Sequence, residues 1–122
     1  MGSLWSYVVV DAIDPPRLAR WWAEVLDLRI LDESADDVTV GADGGGVFPQ
    51  LFFIRVAERK AGKNRIHFDL RGEDQAAEVE RLVDMGARHV DIGQHDVSWV
   101  VLADPEGNEF CVLSGRRPDR PE

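Results

Sequence analysis

Asp104-Pro105-Glu106-Gly107-Asn108-Glu109-Phe110-Cys111 reads as a tight turn running straight into a hydrophobic strand. Asp and Pro open such turns, and glycine supplies the left-handed backbone they need. Upstream stands Lys63-Asn64-Arg65-Ile66-His67-Phe68-Asp69-Leu70, a strand that opens with a histidine.

Working outward from these two stretches, one pattern is written twice. Tyr7-Val8-Val9-Val10-Asp11 is a β-rich run, and Asp14-Pro15-Pro16 is a helix N-cap with proline at the first helical position. Leu18, Trp21, Trp22 and Val25 then recur at i, i+3, i+4 and i+7, one face of a helix. Strands are expected at 28–31, 38–41 and 50–56. An offset of 60 places Tyr7 on His67, Asp14 on Asp74 and Trp22 on Leu82. A strand at 67–71 precedes a helix starting at Asp74, with Val79, Leu82 and Val83 as its apolar stripe and Met85-Gly86 ending it. Strands at 88–92, 97–102 and 109–113 complete the second half.

Each half reads βαβββ. A lone unit of that kind leaves a bare sheet face and open edges, so two must pair. The expectation is an α+β fold in which two βαβββ modules form one curved, cup-shaped mixed sheet. The whole chain, 1–122, is read as a single domain: module one at 4–56, a linker at 57–63, module two at 64–114 and a frayed tail at 115–122. Gly44-Gly45-Gly46 ahead of Val47-Phe48-Pro49 is expected as a flexible loop over one end of the cup.

Composition bounds the function. With 44% apolar and 30% charged residues, the chain has the balance of a soluble globular protein. No apolar run approaches the roughly 18 residues of a membrane span, and no signal peptide is visible. Cys111 is the single cysteine, so an internal disulfide is excluded and a cytoplasmic location is expected. A net charge of −9 opposes nucleic-acid binding, which relies on Lys and Arg displacing counterions. Neutral or cationic small molecules remain suitable partners.

Three marks together resemble the glyoxalase-like branch of the vicinal oxygen chelate superfamily. They are Asp14-Pro15 with the Trp21-Trp22 helix, the 63–70 stretch, and Met85-Gly86-Ala87-Arg88 leading to the 104–110 turn. That superfamily also holds glyoxalase I, extradiol dioxygenases, fosfomycin-resistance enzymes and bleomycin-binding proteins. The resemblance implies metal ligands at the start of the first strand of each module and on the last strand, four residues past the turn glycine. Those positions carry Tyr7, His67 and Cys111. A phenol with an unperturbed pKa near ~10 is a poor ligand, and cysteine stands where a glutamate is usual. The last strand of module one offers Gln50, Phe52 and Ile54, with no acid or histidine. The expectation is therefore no cofactor, with a divalent metal on His67 and Cys111 as the alternative.

The remaining candidates follow from alternation. His67 is a ligand-binding or general-base histidine, or one satisfied by backbone inside the cup. Glu109 shares a face with Cys111 and is either a carboxylate near the mouth, able to pair with His67, or an exposed charge at a strand start. Cys111 lines the cup more readily than it acts as a nucleophile. Trp5, Tyr7 and Phe52 could wall a pocket for a flat or cationic molecule, or simply pack. Trp99 is a pocket candidate whose face periodicity leaves open, whereas Trp21 and Trp22 read as core. The acidic group Asp32, Glu33, Asp36 and Asp37 is a solvated face that could also attract a polycation.

Two functions stay in view. The first is a glyoxalase- or bleomycin-resistance-like protein that binds a small organic molecule in an aromatic-lined cup without the usual metal. The second is an isomerase, epimerase or lyase using His67, with Glu109, for proton transfer. A homodimer is expected in either case.

Overall fold

The computed structural model describes residues 2–44 and 49–114, and the chain divides into two compact units, Met1–Arg59 and Lys60–Glu122. The expected tail at 115–122 and most of the expected glycine loop lie outside the described residues. Each unit carries one helix and one four-stranded mixed sheet, so the fold is α+β.

In the first unit, β1 (Tyr7–Ala12) leads to α1 (Pro15–Leu26), then β2 (Arg29–Glu33), β3 (Asp37–Gly41) and β4 (Gln50–Arg55). The sheet order is β1-β4-β3-β2, with β1 parallel to β4 and the other pairs antiparallel. The helix starts where its cap is written. The Asp14 carboxylate accepts the Arg17 N–H at 3.3 Å, and Pro15 fills a position whose N–H has no helical partner. It stops at Asp27, which turns left-handed at φ 53° while Leu28 N–H returns to the Ala23 carbonyl at 2.9 Å. Leu18, Trp22 and Val25 are buried as the periodicity requires, against the buried Val38, Val40, Leu51 and Phe53 of β3 and β4. Trp21 and Trp22 meet edge to face with ring centroids 5.0 Å apart, which fits their reading as core.

The second unit repeats the plan with shorter strands: β5 (Asp69–Leu70), α2 (Gln75–Asp84), β6 (Arg88–His89), β7 (Val100–Ala103) and β8 (Glu109–Val112), in the order β5-β8-β7-β6. The cap sixty residues on from Asp14 is in place, since the Asp74 carboxylate accepts the Ala77 N–H at 3.1 Å. Leu82, the counterpart of Trp22, is fully buried. The expected stripe is narrower than the sequence suggests: Val83 is exposed and Val79 only partly covered.

Two expected strands are cut short where side chains take over backbone partners, and a third starts late. After His89, the Gln94 side chain accepts the Ile92 N–H at 2.7 Å and donates to the Val90 carbonyl, while Asp91 accepts the Gly93 N–H. Strand β6 therefore ends at His89 rather than at 92. The Ser98 carbonyl is taken by the Gln75 side chain at 2.8 Å, and β7 begins at Val100 instead of 97. His67 stands two residues ahead of β5 instead of opening it.

The 104–111 stretch folds as a turn into β8. Asp104 is fully buried, and its Oδ1 accepts the N–H groups of Glu106 and Asn108, each at 2.9 Å. Its Oδ2 accepts the Asn108 side-chain amide, and Gly107 takes φ +90° with its N–H on the Asp104 carbonyl. A buried carboxylate holding three donors is costly to remove. Asp104→Ala should lower the unfolding free energy by on the order of 3 kcal/mol in urea denaturation. A loss within the error of a surface substitution would contradict this role.

Candidate functional site

Alternation along the first sheet puts Leu51 and Phe53 into the core and leaves Tyr7, Val9, Phe52 and Ile54 on its other face. Val9 and Phe52 are register partners, and Tyr7 lies diagonal to Phe52 with ring centroids 5.8 Å apart and planes inclined at 48°. Tyr7 is 47% exposed and Val9 56%. Trp5 precedes the strand and is 82% exposed, so packing does not account for it within the described residues.

The two inner members of the acidic group 32–37 are tied down. Glu33 pairs with Arg20, and Asp36 with Arg55 at 3.0 Å. Arg55 also donates to the Ile13 and Ala35 carbonyls. The group is thus partly a structural staple.

In the second unit the parallel ladder sets Asp69 directly opposite Cys111. His67, two residues before Asp69, reaches it with Nδ1 3.8 Å from Oδ1. Donor atoms of His67, Asp69 and Cys111 all lie within 4.8 Å of one another. Burial raises the Cys111 thiol above its ordinary pKa, and the Asp69 charge and hydrogen bond add to that, against an opposing pull from Lys63. The thiol is held protonated, a poor state for a nucleophile. The His67 side chain is 35% exposed. Asp69 escaped the sequence reading, although His67-x-Asp69 is the spacing that puts two side chains on one strand face.

Glu109 is not an exposed charge at a strand start. It is 8% exposed, with Oε2 accepting Lys60 Nζ at 2.8 Å and Oε1 accepting the Asn64 N–H at 3.0 Å. Its partner is Lys60 and not His67, because the 60–64 segment lies over the start of β8. The Asn64 side chain adds a bond to Asn108 at 2.9 Å. Trp99 joins Val90 and Ile92 in packing against the cluster of Val101, Cys111 and Leu113. It also lines an open groove of about 530 Å³ with Val97, His89 and His95. His89 ends β6 and His95 lies in the loop that follows, and both line that groove.

The sequence matches the family described as glyoxalase-like domain over residues 7–113. The chain belongs to that family. It is accordingly a member of the vicinal oxygen chelate superfamily, whose solved structures share its fold. One similar structure is the bleomycin-binding protein of Streptomyces verticillus complexed with copper(II)-bleomycin: 17% identity, 95% of this chain and 99% of that one covered, TM-score 0.59. A second is the fosfomycin resistance protein FosX of Mesorhizobium loti: 16% identity, coverage 95% and 94%, TM-score 0.65. A third is a glyoxalase-related enzyme of Fulvimarina pelagi: 15% identity, coverage 90% and 86%, TM-score 0.63. No curated protein matches the sequence.

The residues at this glyoxalase-like domain's inherited ligand positions, Tyr7, His67 and Cys111, do not fit a hard divalent ion. Magnesium and manganese call for several oxygen donors, and here a phenol, an imidazole and a protonated thiol stand instead.

The Glu109 clamp carries a pH signature. Burial alone would raise the carboxyl pKa. The Lys60 bond, the Asn64 N–H and Glu109's own N–H outweigh it, so the folded value falls below 4.5. A depressed acid contributes stability above its unfolded pKa and loses it as pH falls through the folded one. Urea denaturation of Glu109→Gln should show lower stability than wild type at pH 7 and a smaller further loss below pH ~4.5. Parallel acid limbs for the two proteins would argue against the clamp.

Proposed function

We propose that this glyoxalase-like domain binds a small organic molecule on an aromatic surface, without the hard-metal site that the superfamily resemblance implies. The observation that carries this reading is the Tyr7–Phe52 pair beside the exposed Val9. It is an apolar, aromatic patch on a sheet face that the first unit's own helix does not cover. A patch of that kind suits a ligand or a partner better than water. The net charge of −9 favours a flat, cationic ligand, for which each cation–π contact contributes ~0.5–2 kcal/mol. The Streptomyces verticillus relative holds a drug, which makes sequestration a natural form of this function.

A homodimer is part of the proposal, with a second copy as the rival occupant of the same patch. A cytoplasmic location is supported by the single buried cysteine. Among the described residues no helix is long and apolar enough to cross a membrane. Ligand that binds only the native state raises stability by RT ln(1 + [L]/Kd), about 2.7 kcal/mol at a hundredfold excess over Kd. A thermal-shift screen with cationic aromatics should therefore find compounds that raise Tm in wild type and raise it less in Tyr7→Ala. A screen without shifts, or shifts equal in both proteins, would count against the reading.

The exposed imidazole of His67 beside Asp69 favours a second reading, an isomerase, epimerase or lyase moving a proton next to a carbonyl. His67 would exchange the proton, Asp69 would orient the ring, and Glu109 would position the 60–64 segment. His67→Ala should then reduce kcat by ~10²–10⁴-fold in a turnover assay, and retained activity would exclude the mechanism.

A further inference from the structure

We propose that the groove between β6 and β7 binds a planar nitrogen heterocycle carrying an exocyclic amine, with the ring against Trp99 and the amine on Asp91. The groove is built from residues of the second unit alone and shares none with the Tyr7–Phe52 patch. It is a second binding surface, independent of the one proposed above.

The loop that walls the groove is shaped by its own side chains. Gln94 uses both ends of its amide internally, accepting the Ile92 N–H at 2.7 Å and donating to the Val90 carbonyl at 3.2 Å. Asp91 Oδ1 accepts the Gly93 N–H at 2.8 Å, and the Val97 N–H closes on the His95 carbonyl at 3.1 Å. His95 is held at φ 55°, a left-handed backbone uncommon outside glycine. These bonds define the wall before any ligand arrives, as small-molecule sites usually require. The volume of about 530 Å³ falls within the ~300–1,000 Å³ range of such sites.

What the loop leaves unused decides the ligand. Among the described residues, the imidazoles of His89 and His95, the indole N–H of Trp99 and Oδ2 of Asp91 have no hydrogen bond or ion pair. Trp99 packs against Val101, Cys111 and Leu113 and also lines the groove, so its ring can take a flat partner in an offset stack. No Lys or Arg lines the groove, Asp91 does, and the chain carries a net charge of −9. That balance disfavours an anion and favours an N–H donor, whose bond to a carboxylate is charge-assisted. A neutral imidazole carries one donor and one acceptor. An exocyclic amine beside a ring nitrogen answers this set: the amine donates to Asp91, and the ring nitrogen accepts from an imidazole N–H.

The test titrates isotope-labelled full-length protein with 2-aminobenzimidazole and follows the amide and indole resonances by NMR. Benzimidazole and benzimidazole-2-carboxylate serve as matched rings, one without the amine and one with an anion in its place. Saturable shifts are expected in the amides of 89–101 and the Trp99 indole N–H, tightest for the amine and weakest for the carboxylate. Asp91→Asn keeps an acceptor for the Gly93 N–H but removes the charge. It should weaken amine binding by about tenfold, the loss of one charge-assisted hydrogen bond, and erase the advantage over benzimidazole. Trp99→Ala should abolish binding. Because Trp99 also packs, the exposed His89 supplies a second variant, His89→Ala, expected to weaken binding with unchanged circular dichroism. Absence of saturable shifts in 89–101, equal affinity for the carboxylate, or unaltered binding in both Asp91→Asn and His89→Ala would each overturn the proposal. Tyr7→Ala should titrate like wild type at these resonances, so this proposal and the reading at Tyr7 fail separately.

Discussion

The Glu109 carboxylate holds the second unit's site in register. Strand β5 has only two ladder partners on β8, Asp69 with Cys111 and Leu70 with Val112. Two residues of parallel pairing specify register weakly, since little buried surface distinguishes one alignment from the next. Lys60 and Asn64 pin the chain ahead of β5 to the first residue of β8 through the two oxygens of one side chain. With that end tied, His67 and Asp69 arrive beside Cys111 and not elsewhere along the strand. A buried ion pair is weak evidence for net stability, but breaking one by removing a single partner is costly. That asymmetry suits a clamp whose value lies in alignment.

The two halves began from one pattern and solved their sheets differently. In the first, long β-branched and aromatic strands carry the register by burial: Val38, Val40, Leu51 and Phe53 are lost from water against α1. In the second, polar side chains intercept backbone groups at Gln75, Asp91 and Gln94, and the strands shorten. The shorter strands free 90–99 to run as a loop, and that loop places His95 and Trp99 beside His89 of β6 along a groove.

The family's scaffold is present here with other side chains at two of the positions where the resemblance implies metal ligands. A phenol at Tyr7 and a thiol at Cys111 stand at positions where a hard ion would need anionic oxygen. One scaffold carries many activities because sites depend on a few side chains while the fold depends on the whole pattern.

Fold class was legible in the chain itself. Apolar spacing, Asp-Pro and Asp74 caps, and the glycine turn are local signals, each with a local physical cause: steric limits on φ, orphan N–H groups at a helix start, and alternation along a strand. Trp22 and Leu82 could be assigned to buried helix faces from those signals alone, and they are buried. The candidate site was legible only in part. His67 and Cys111 could be named, but their closeness to Asp69 depends on which strands pair and in what register. Glu109 could be placed on a strand, yet its burial under Lys60 is a contact across 49 residues that no local pattern encodes. Local stereochemistry is written residue by residue, whereas pairing of distant segments is decided by the summed burial and hydrogen bonding of the folded chain, and only the tertiary structure contains that sum.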